Sequence, residues 1–171
     1  MRNQSIRKMV YLTMLSAMAI AIHLFESAYL TFMPFGIRFG LANIIAIVTL
    51  ELFGIKEMIL INIMRVMIGS LLRGTLFGST FWISVGGVVL SCFMLVLSRK
   101  ILKLPLYSTS MLSAIGHSVG QVLIVMMIYK QIGMLTIVPL LLISAIPTGI
   151  LTGMVAVEAL KHLNKNFKLK N

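Results

Sequence analysis

Apolar residues run along this chain in six long stretches, roughly residues 9–30, 39–54, 57–72, 79–98, 106–129 and 134–160. A helix needs about 20 apolar residues to cross the hydrocarbon of a bilayer. The first, fourth, fifth and sixth stretches meet that length. The second and third are shorter and meet at a tight turn, Phe53-Gly54-Ile55-Lys56. They read as a helical hairpin that stops short of the full membrane thickness on its outer side. The pattern predicts an all-α integral membrane protein, one domain over residues 1–171 built as a bundle of six transmembrane helices.

Composition points the same way. Of 171 residues, 59% are hydrophobic and 11% charged, with a mean hydropathy of +1.03. Soluble domains carry charge at about a quarter of their positions. The solvent that suits this chain is lipid. Nothing in its length leaves room for a second domain. Ala17-Met18-Ala19 resembles a signal cleavage site, but apolar residues continue beyond it, so an uncleaved first helix is expected.

The net charge of +11 raises the possibility of nucleic acid, and its distribution argues against it. The N-terminus, alternate connections and the C-terminal tail carry Arg2, Arg7, Lys8, Lys56, Arg99, Lys100, Lys103, Lys161, Lys165, Lys168 and Lys170. The opposite side receives Arg38, Arg73 and Lys130. Positive connections stay in the cytoplasm, so both termini are expected there. The basic tail then faces anionic lipid headgroups, and membrane lipid rather than nucleic acid is the expected partner.

Ionisable groups at membrane depth are costly unless paired or solvated, which makes each a candidate for function. Arg65 lies about 12 Å into the third stretch at 1.5 Å per residue. Asn62, Arg65, Gly69 and Arg73 fall on one helical face. Ser113, His117 and Gln121 form a second polar stripe, flanked by Gly116 and Gly120. His23 and Glu26 fall towards the outer end of the first stretch, Arg38 and Asn43 at the outer end of the second. Most of these groups belong to the middle or outer half of the bundle. Arg38, Arg65, Asn43, His117, Gln121 and Glu26 are therefore the candidate substrate-binding residues. Three arginines against one carboxylate suit a carboxylate or phosphate ligand, which guanidinium grips with a bidentate fork.

Structural alternatives stand beside these readings. Arg65 could pair with Glu26 or Glu51 to hold helices together, and His117 with Gln121 could be an interhelical hydrogen-bond pair. Glu51, near the cytoplasmic end, is within reach of Lys56. Trp82 and Tyr29 sit where interfacial anchors belong. Small residues at four-residue spacing suggest close helix contacts. For Gly116 and Gly120, and for Ala145, Gly149 and Gly153, packing within the bundle is favoured. For Thr13, Ala17 and Ala21, internal packing and docking of a partner's helix are equally open.

Several chemistries are missing. The four acidic residues are Glu26, Glu51, Glu57 and Glu158, with no aspartate. The single cysteine, Cys92, forms no intrachain disulfide and no CxxC metal motif, and reads as a buried, inert thiol. There is no GxxxxGK[ST] loop for ATP phosphates and no HExxH zinc motif. No metal, cofactor or enzymatic activity is expected.

The segments GIRFGLAN (Gly36–Asn43), LFG (Leu52–Gly54), RVMIGSLLRG (Arg65–Gly74) and GHSVGQ (Gly116–Gln121) together resemble the Gx transporter family, also labelled heptaprenyl diphosphate synthase component I. The resemblance covers about residues 8–162. That family is in turn similar to the substrate-binding S components of energy-coupling-factor (ECF) importers. It implies a multi-pass protein of the bacterial plasma membrane that captures a small, vitamin- or cofactor-precursor-like molecule. It also implies partners, a transmembrane coupling subunit and a pair of cytoplasmic ATPases. In such systems small residues on helix one contact the coupling subunit, and Thr13, Ala17 and Ala21 match that pattern with Thr for the first Ala. The enzyme label fits the residues poorly, because prenyl diphosphate synthases hold magnesium with aspartate-rich motifs. An accessory role in isoprenoid or quinone synthesis, or a stand-alone carrier, is the alternative.

Overall fold

The structure is a computed structural model, described here for residues 2–29 and 40–168. Its described residues form six α-helices: α1 (Arg2–Tyr29), α2 (Asn43–Leu52), α3 (Ile55–Leu72), α4 (Ser79–Val96), α5 (Leu106–Tyr129) and α6 (Val138–Lys168). A short π-helical stretch, Leu97–Ile101, extends α4, and a 3₁₀ stretch, Ile132–Ile137, leads into α6. Four helical segments, Ile6–Tyr29, Ser79–Ile101, Leu106–Tyr129 and Ile132–Leu163, are long and apolar enough to cross a membrane.

The second apolar stretch is longer than the helix it makes. α2 has ten residues, about 15 Å of rise and half of a 30 Å hydrocarbon layer. It ends where Phe53 and Gly54 both donate their backbone N–H to Thr49 O. Gly54 takes φ +104°, a conformation open to glycine and strained for other residues. This lets α3 begin one residue later. α3 is long enough, at 18 residues, but carries Lys56, Glu57 and Arg65, so its composition is less apolar than that of these four segments.

α2 is the hub. It touches each of the other five helices, and seven of its residues are buried. That enclosure explains why its sequence is apolar all round rather than on one stripe. Ile45, Ile47, Val48 and Leu50 of α2 pack with Leu15 and Ala19 of α1, Met58 and Ile61 of α3, Leu95 of α4 and Leu160 of α6.

The most extensive helix pairs are α4 with α5 and α5 with α6, and glycines make them. A methyl group added at Gly120 would strike the backbone of Gly86 and Gly87. One at Gly149 would lie 2.7 Å from Met111 Cα, and one at Gly153 would lie 3.2 Å from Tyr107 Cα. With no hydrophobic drive between helices in lipid, backbone contact of this kind supplies the dispersion energy. The small residues of α5 and α6 therefore act inside the bundle, as the spacing suggests.

Polarity is arranged inside out. Large apolar side chains of each of the four long apolar segments face outward, among them Met14, Phe25, Val89, Phe93, Met127, Ile143 and Met154. Buried positions hold many polar groups, including Arg65, Glu26, Gln121, Asn62 and Ser113. Proteins in water rarely expose contiguous apolar surface beyond a few hundred Å². Hydrocarbon solvates such an exterior without penalty.

Candidate functional site

Antiparallel connections place the C-terminal ends of α1 and α3 beside the N-terminal end of α2. The polar side chains of this end converge with the middles of α4 and α5. Arg65 is the centre, a full guanidinium with 2% exposure. Its Nη1 and Nη2 donate to Asn43 Oδ1 at 3.4 and 3.5 Å. These are long contacts, near the limit of useful hydrogen bonding. Its Nε is buried with no hydrogen-bond partner among the described residues. No carboxylate of a described residue forms an ion pair with it.

The polar chain continues through Asn43. Its Nδ2 donates to Ser113 Oγ on α5 at 3.5 Å, and Ser113 shares a 2.7 Å hydroxyl bond with Ser91 on α4. One turn further along α5, His117 and Gln121 share a 3.2 Å hydrogen bond. The contact is within one helix, at i, i+4, and so differs from the interhelical pair the sequence left open. Both side chains lie against Gly87 of α4, where an added Cβ would sit 2.8 Å from Gln121 Cγ and 2.9 Å from His117 Cε1. Gly40, at φ +81°, brings its backbone under the same imidazole, 2.9 Å from His117 Cδ2 by the same measure. Glycine at 40 and 87 is what admits the His117 ring.

Glu26 does not neutralise Arg65 by direct contact. It is buried on α1 and close enough to act on Arg65 through its charge, but its Oε1 accepts from the backbone N–H of Gly40 and, at 3.4 Å, of Leu41. It thereby ties the end of α1 to the approach to α2. Glu51 is further away in role as well as position. Arg99 grips it with Nε to Oε1 and Nη2 to Oε2 at 2.9 Å, while Arg99 Nη1 reaches Leu104 O. The expected Glu51–Lys56 contact is thus replaced by a fork to the α4–α5 connection. Lys56 is exposed, whereas the planar guanidinium fits two carboxylate oxygens at once. A second pair, Lys8–Glu57, joins α1 to α3 at the same end of the bundle.

Of the six candidate binding residues, the fold brings Asn43, Arg65, His117, Gln121 and Glu26 to one region. Arg38 lies outside the described residues. Sequence reasoning missed Gly40, Gly87 and Ser91. A signal existed on α4 and its π-helical extension, where Ser84, Gly87, Ser91 and Ser98 recur at helical spacing and are all buried. The sequence predicts an inert, buried thiol at Cys92. It is partly exposed, and its Sγ accepts from Asn62 Nδ2 at 3.1 Å.

Clefts of about 430 and 400 Å³ open between α1 and α3, and between α1, α2 and α6. Their walls are almost wholly apolar, and neither reaches Arg65. Thr13 and Ala17 line the first, facing Leu60, Met64 and Ile68 of α3. Thr13, Ala17 and Ala21 are all exposed, whereas Gly116, Gly120, Ala145, Gly149 and Gly153 are buried. In that respect α1 differs from α5 and α6.

A family model described as heptaprenyl diphosphate synthase component I matches residues 15–159. The chain belongs to that family. The match runs from the middle of α1 into α6 and takes in the whole polar cluster. No curated protein and no solved structure matches the chain. The family description names a component, which implies a larger assembly, and names neither a ligand nor a role for any of these residues.

Proposed function

We propose that this family member is a membrane-embedded, non-enzymatic substrate-binding subunit of an energy-coupling-factor type importer, and that its ligand is a small anion. The supporting observation is Arg65. Isolated buried charge is expensive, by several kcal/mol even after relaxation, and this guanidinium has a neutral amide oxygen as its hydrogen-bonding partner. An anionic ligand supplies what the protein omits. Asn43, Ser113, His117 and Gln121 are placed to orient it, and Glu26 acts as a positioning residue through Gly40.

Energy must come from elsewhere, because the chain carries no phosphate-binding loop. The exposed Thr13–Ala17–Ala21 face and its cleft against α3 suit a helix of a coupling subunit, which in turn recruits cytoplasmic ATPases. In this reading both termini are cytoplasmic, the site opens outward, and the bilayer is a bacterial plasma membrane. Purification from native membranes should bring a coupling protein and ATPases with it, and uptake of the ligand should fall sharply with Arg65→Ala. Unchanged uptake in that variant, with no ATPase in the preparation, would remove the basis for the proposal.

A second reading takes the family description at face value. The chain would then be a membrane accessory to a prenyl diphosphate synthase, holding a diphosphate at Arg65. Co-purification with a soluble prenyl synthase, and no ATPase, favours it.

A further inference from the structure

Between α1 and α6 the bundle has a seam. Both helices pack on α2, and they scarcely touch one another. The cleft of about 400 Å³ between α1, α2 and α6 occupies that gap. Met14 and Met18 of α1 form one wall, Val155 and Ala159 of α6 the other, and Ile45 and Val48 of α2 the floor. The lining residues of α1 run from Tyr11 to Ile22, about 16 Å of helix. That is one leaflet of a hydrocarbon layer about 30 Å thick. The match has a cause, since the helix that floors the cleft is only ten residues long.

The shape selects among occupants. A volume of about 400 Å³ spread over about 16 Å leaves a cross-section of about 25 Å². A helix about 10–12 Å across with its side chains needs about 80–110 Å². A polymethylene chain, whose carbons approach their neighbours to about 4 Å, needs far less. The seam therefore takes an acyl chain and is too narrow for a helix, whether from a second copy or from another protein. Met14 and Met18, 59% and 52% exposed, are flexible enough to close over such a chain.

Charge stands at one end only. Tyr11 and His162 line the end where α1 begins and α6 closes, and the opposite end, at Ile22 and Ile44, is apolar. Arg7 lies one turn before Tyr11, on the helical face that continues through Met14 and Met18. It is exposed, and no described carboxylate lies within ion-pairing distance of it. Its neighbour Lys8 is taken by Glu57. On α6 the acid of this end is Glu158, which Lys161 and His162 already face at 3.2 and 3.5 Å. The mouth is thus net positive, and the unopposed fork of Arg7 fits phosphate oxygens.

We propose that this seam is a site for one anionic phospholipid, with an acyl chain lying between α1 and α6 and the phosphate at Arg7 beside Tyr11. The second chain stays in the surrounding bilayer. The proposal rests on the membrane-embedded reading above and is independent of the importer and its ligand. A zwitterionic lipid with the same chains fills the cleft equally well, but its own ammonium offsets the phosphate that it brings to Arg7.

The experiment is native mass spectrometry of the full chain released from detergent micelles. The chain is titrated with dioleoyl phosphatidylglycerol and, separately, with dioleoyl phosphatidylcholine. One phosphatidylglycerol should bind ahead of all others, about fivefold more tightly than phosphatidylcholine, as one arginine at an anionic headgroup allows. Arg7→Gln should bring the two lipids level. Ala159→Phe fills the cleft and should weaken both lipids. Met18→Trp obstructs the same passage from the opposite wall and replaces Ala159→Phe if that variant does not fold. Thermal midpoints in detergent without added lipid establish which variants are folded. Equal affinity of the parent for the two lipids, a preference that survives Arg7→Gln, binding that survives a filled cleft, or a dimer in place of the lipid-bound monomer would each overturn the site. A chain that stays folded and monodisperse without any detergent would instead remove the membrane reading beneath it.

Discussion

Arg65 and Asn43 meet across α3 and α2 as a charged donor and a neutral acceptor, at 3.4 and 3.5 Å. A structural salt bridge would set a carboxylate there, at a shorter distance and with both guanidinium edges filled. The pair in this protein leaves the cation undercompensated at the centre of a five-helix polar junction. A residue kept for a ligand, as proposed for Arg65, and one kept for the fold respond oppositely to substitution.

Replacing Arg65 with Met tests the distinction on stability alone. Exchanging buried charge for an apolar side chain of similar volume is often neutral or stabilising, by about 1–4 kcal/mol. Arg65→Met should therefore hold or raise the thermal midpoint of the purified protein. Breaking a structural buried ion pair would instead cost about 3–5 kcal/mol. A large fall in the midpoint would assign Arg65 to the fold.

Asn43→Asp supplies the missing carboxylate from within. The new side chain is nearly isosteric and faces the same guanidinium, so the folded state should gain stability. The gain is on the order of 1–3 kcal/mol, the range for hydrogen bonds to charged groups. Ligand binding should be lost, because the anion site is then self-occupied. Stability and binding measured on the same preparation should move in opposite directions. If binding survives, the ligand does not use this face of Arg65.

How much of this was legible in the sequence depends on the kind of signal. The long apolar stretches located all six helices, because length and hydropathy are what a bilayer demands of a chain. The extent of α2 was not legible. A ten-residue helix buried on all sides carries no periodic face, and its flanking residues are as apolar as its own. Arg65, His117 and Gln121 stood out because charge and amides are rare in such a background. Gly87 and Ser91 did not, since small residues on a membrane helix serve packing and sites alike. Which glutamate would take which cation was also beyond the sequence. Glu51 and Arg99 are 48 residues apart, and only the fold brings the α4–α5 connection back to the end of α2.

The Glu51–Arg99 fork should matter to stability. The side chains are 23% and 29% exposed, drier than a surface pair, and Arg99 also binds Leu104 O. A double-mutant cycle with Glu51→Gln and Arg99→Gln should give a coupling energy of about 0.5–3 kcal/mol, the range for residues in direct contact. It should leave ligand affinity unaltered, since the pair lies at the opposite end of the bundle from Arg65. A coupling near zero would show that solvent screens the pair as it does an exposed one.

The glycine contact between α4 and α5 makes the sharpest packing prediction, because the alternatives differ by a single methyl group. Gly120 and Gly86 meet backbone to backbone, and a Cβ at 120 has no flexible side chain to push aside. Gly120→Ala must separate the helices. Forcing a methylene into a well-packed core costs about 1–3 kcal/mol, and the polar chain linking Ser91 on α4 to Ser113 on α5 would loosen with it. Gly133, which has nothing within 4 Å of its added Cβ, is the control, and Gly133→Ala should stay within about 0.5 kcal/mol of the parent. Thermal unfolding in detergent compares the two. Ligand affinity should drop with Gly120→Ala and not with Gly133→Ala, since the α4–α5 spacing sets how His117 and Gln121 rest against Gly87. Equal midpoints for the two variants would mean that α4 and α5 are free to slide, and that their contact does not fix the site.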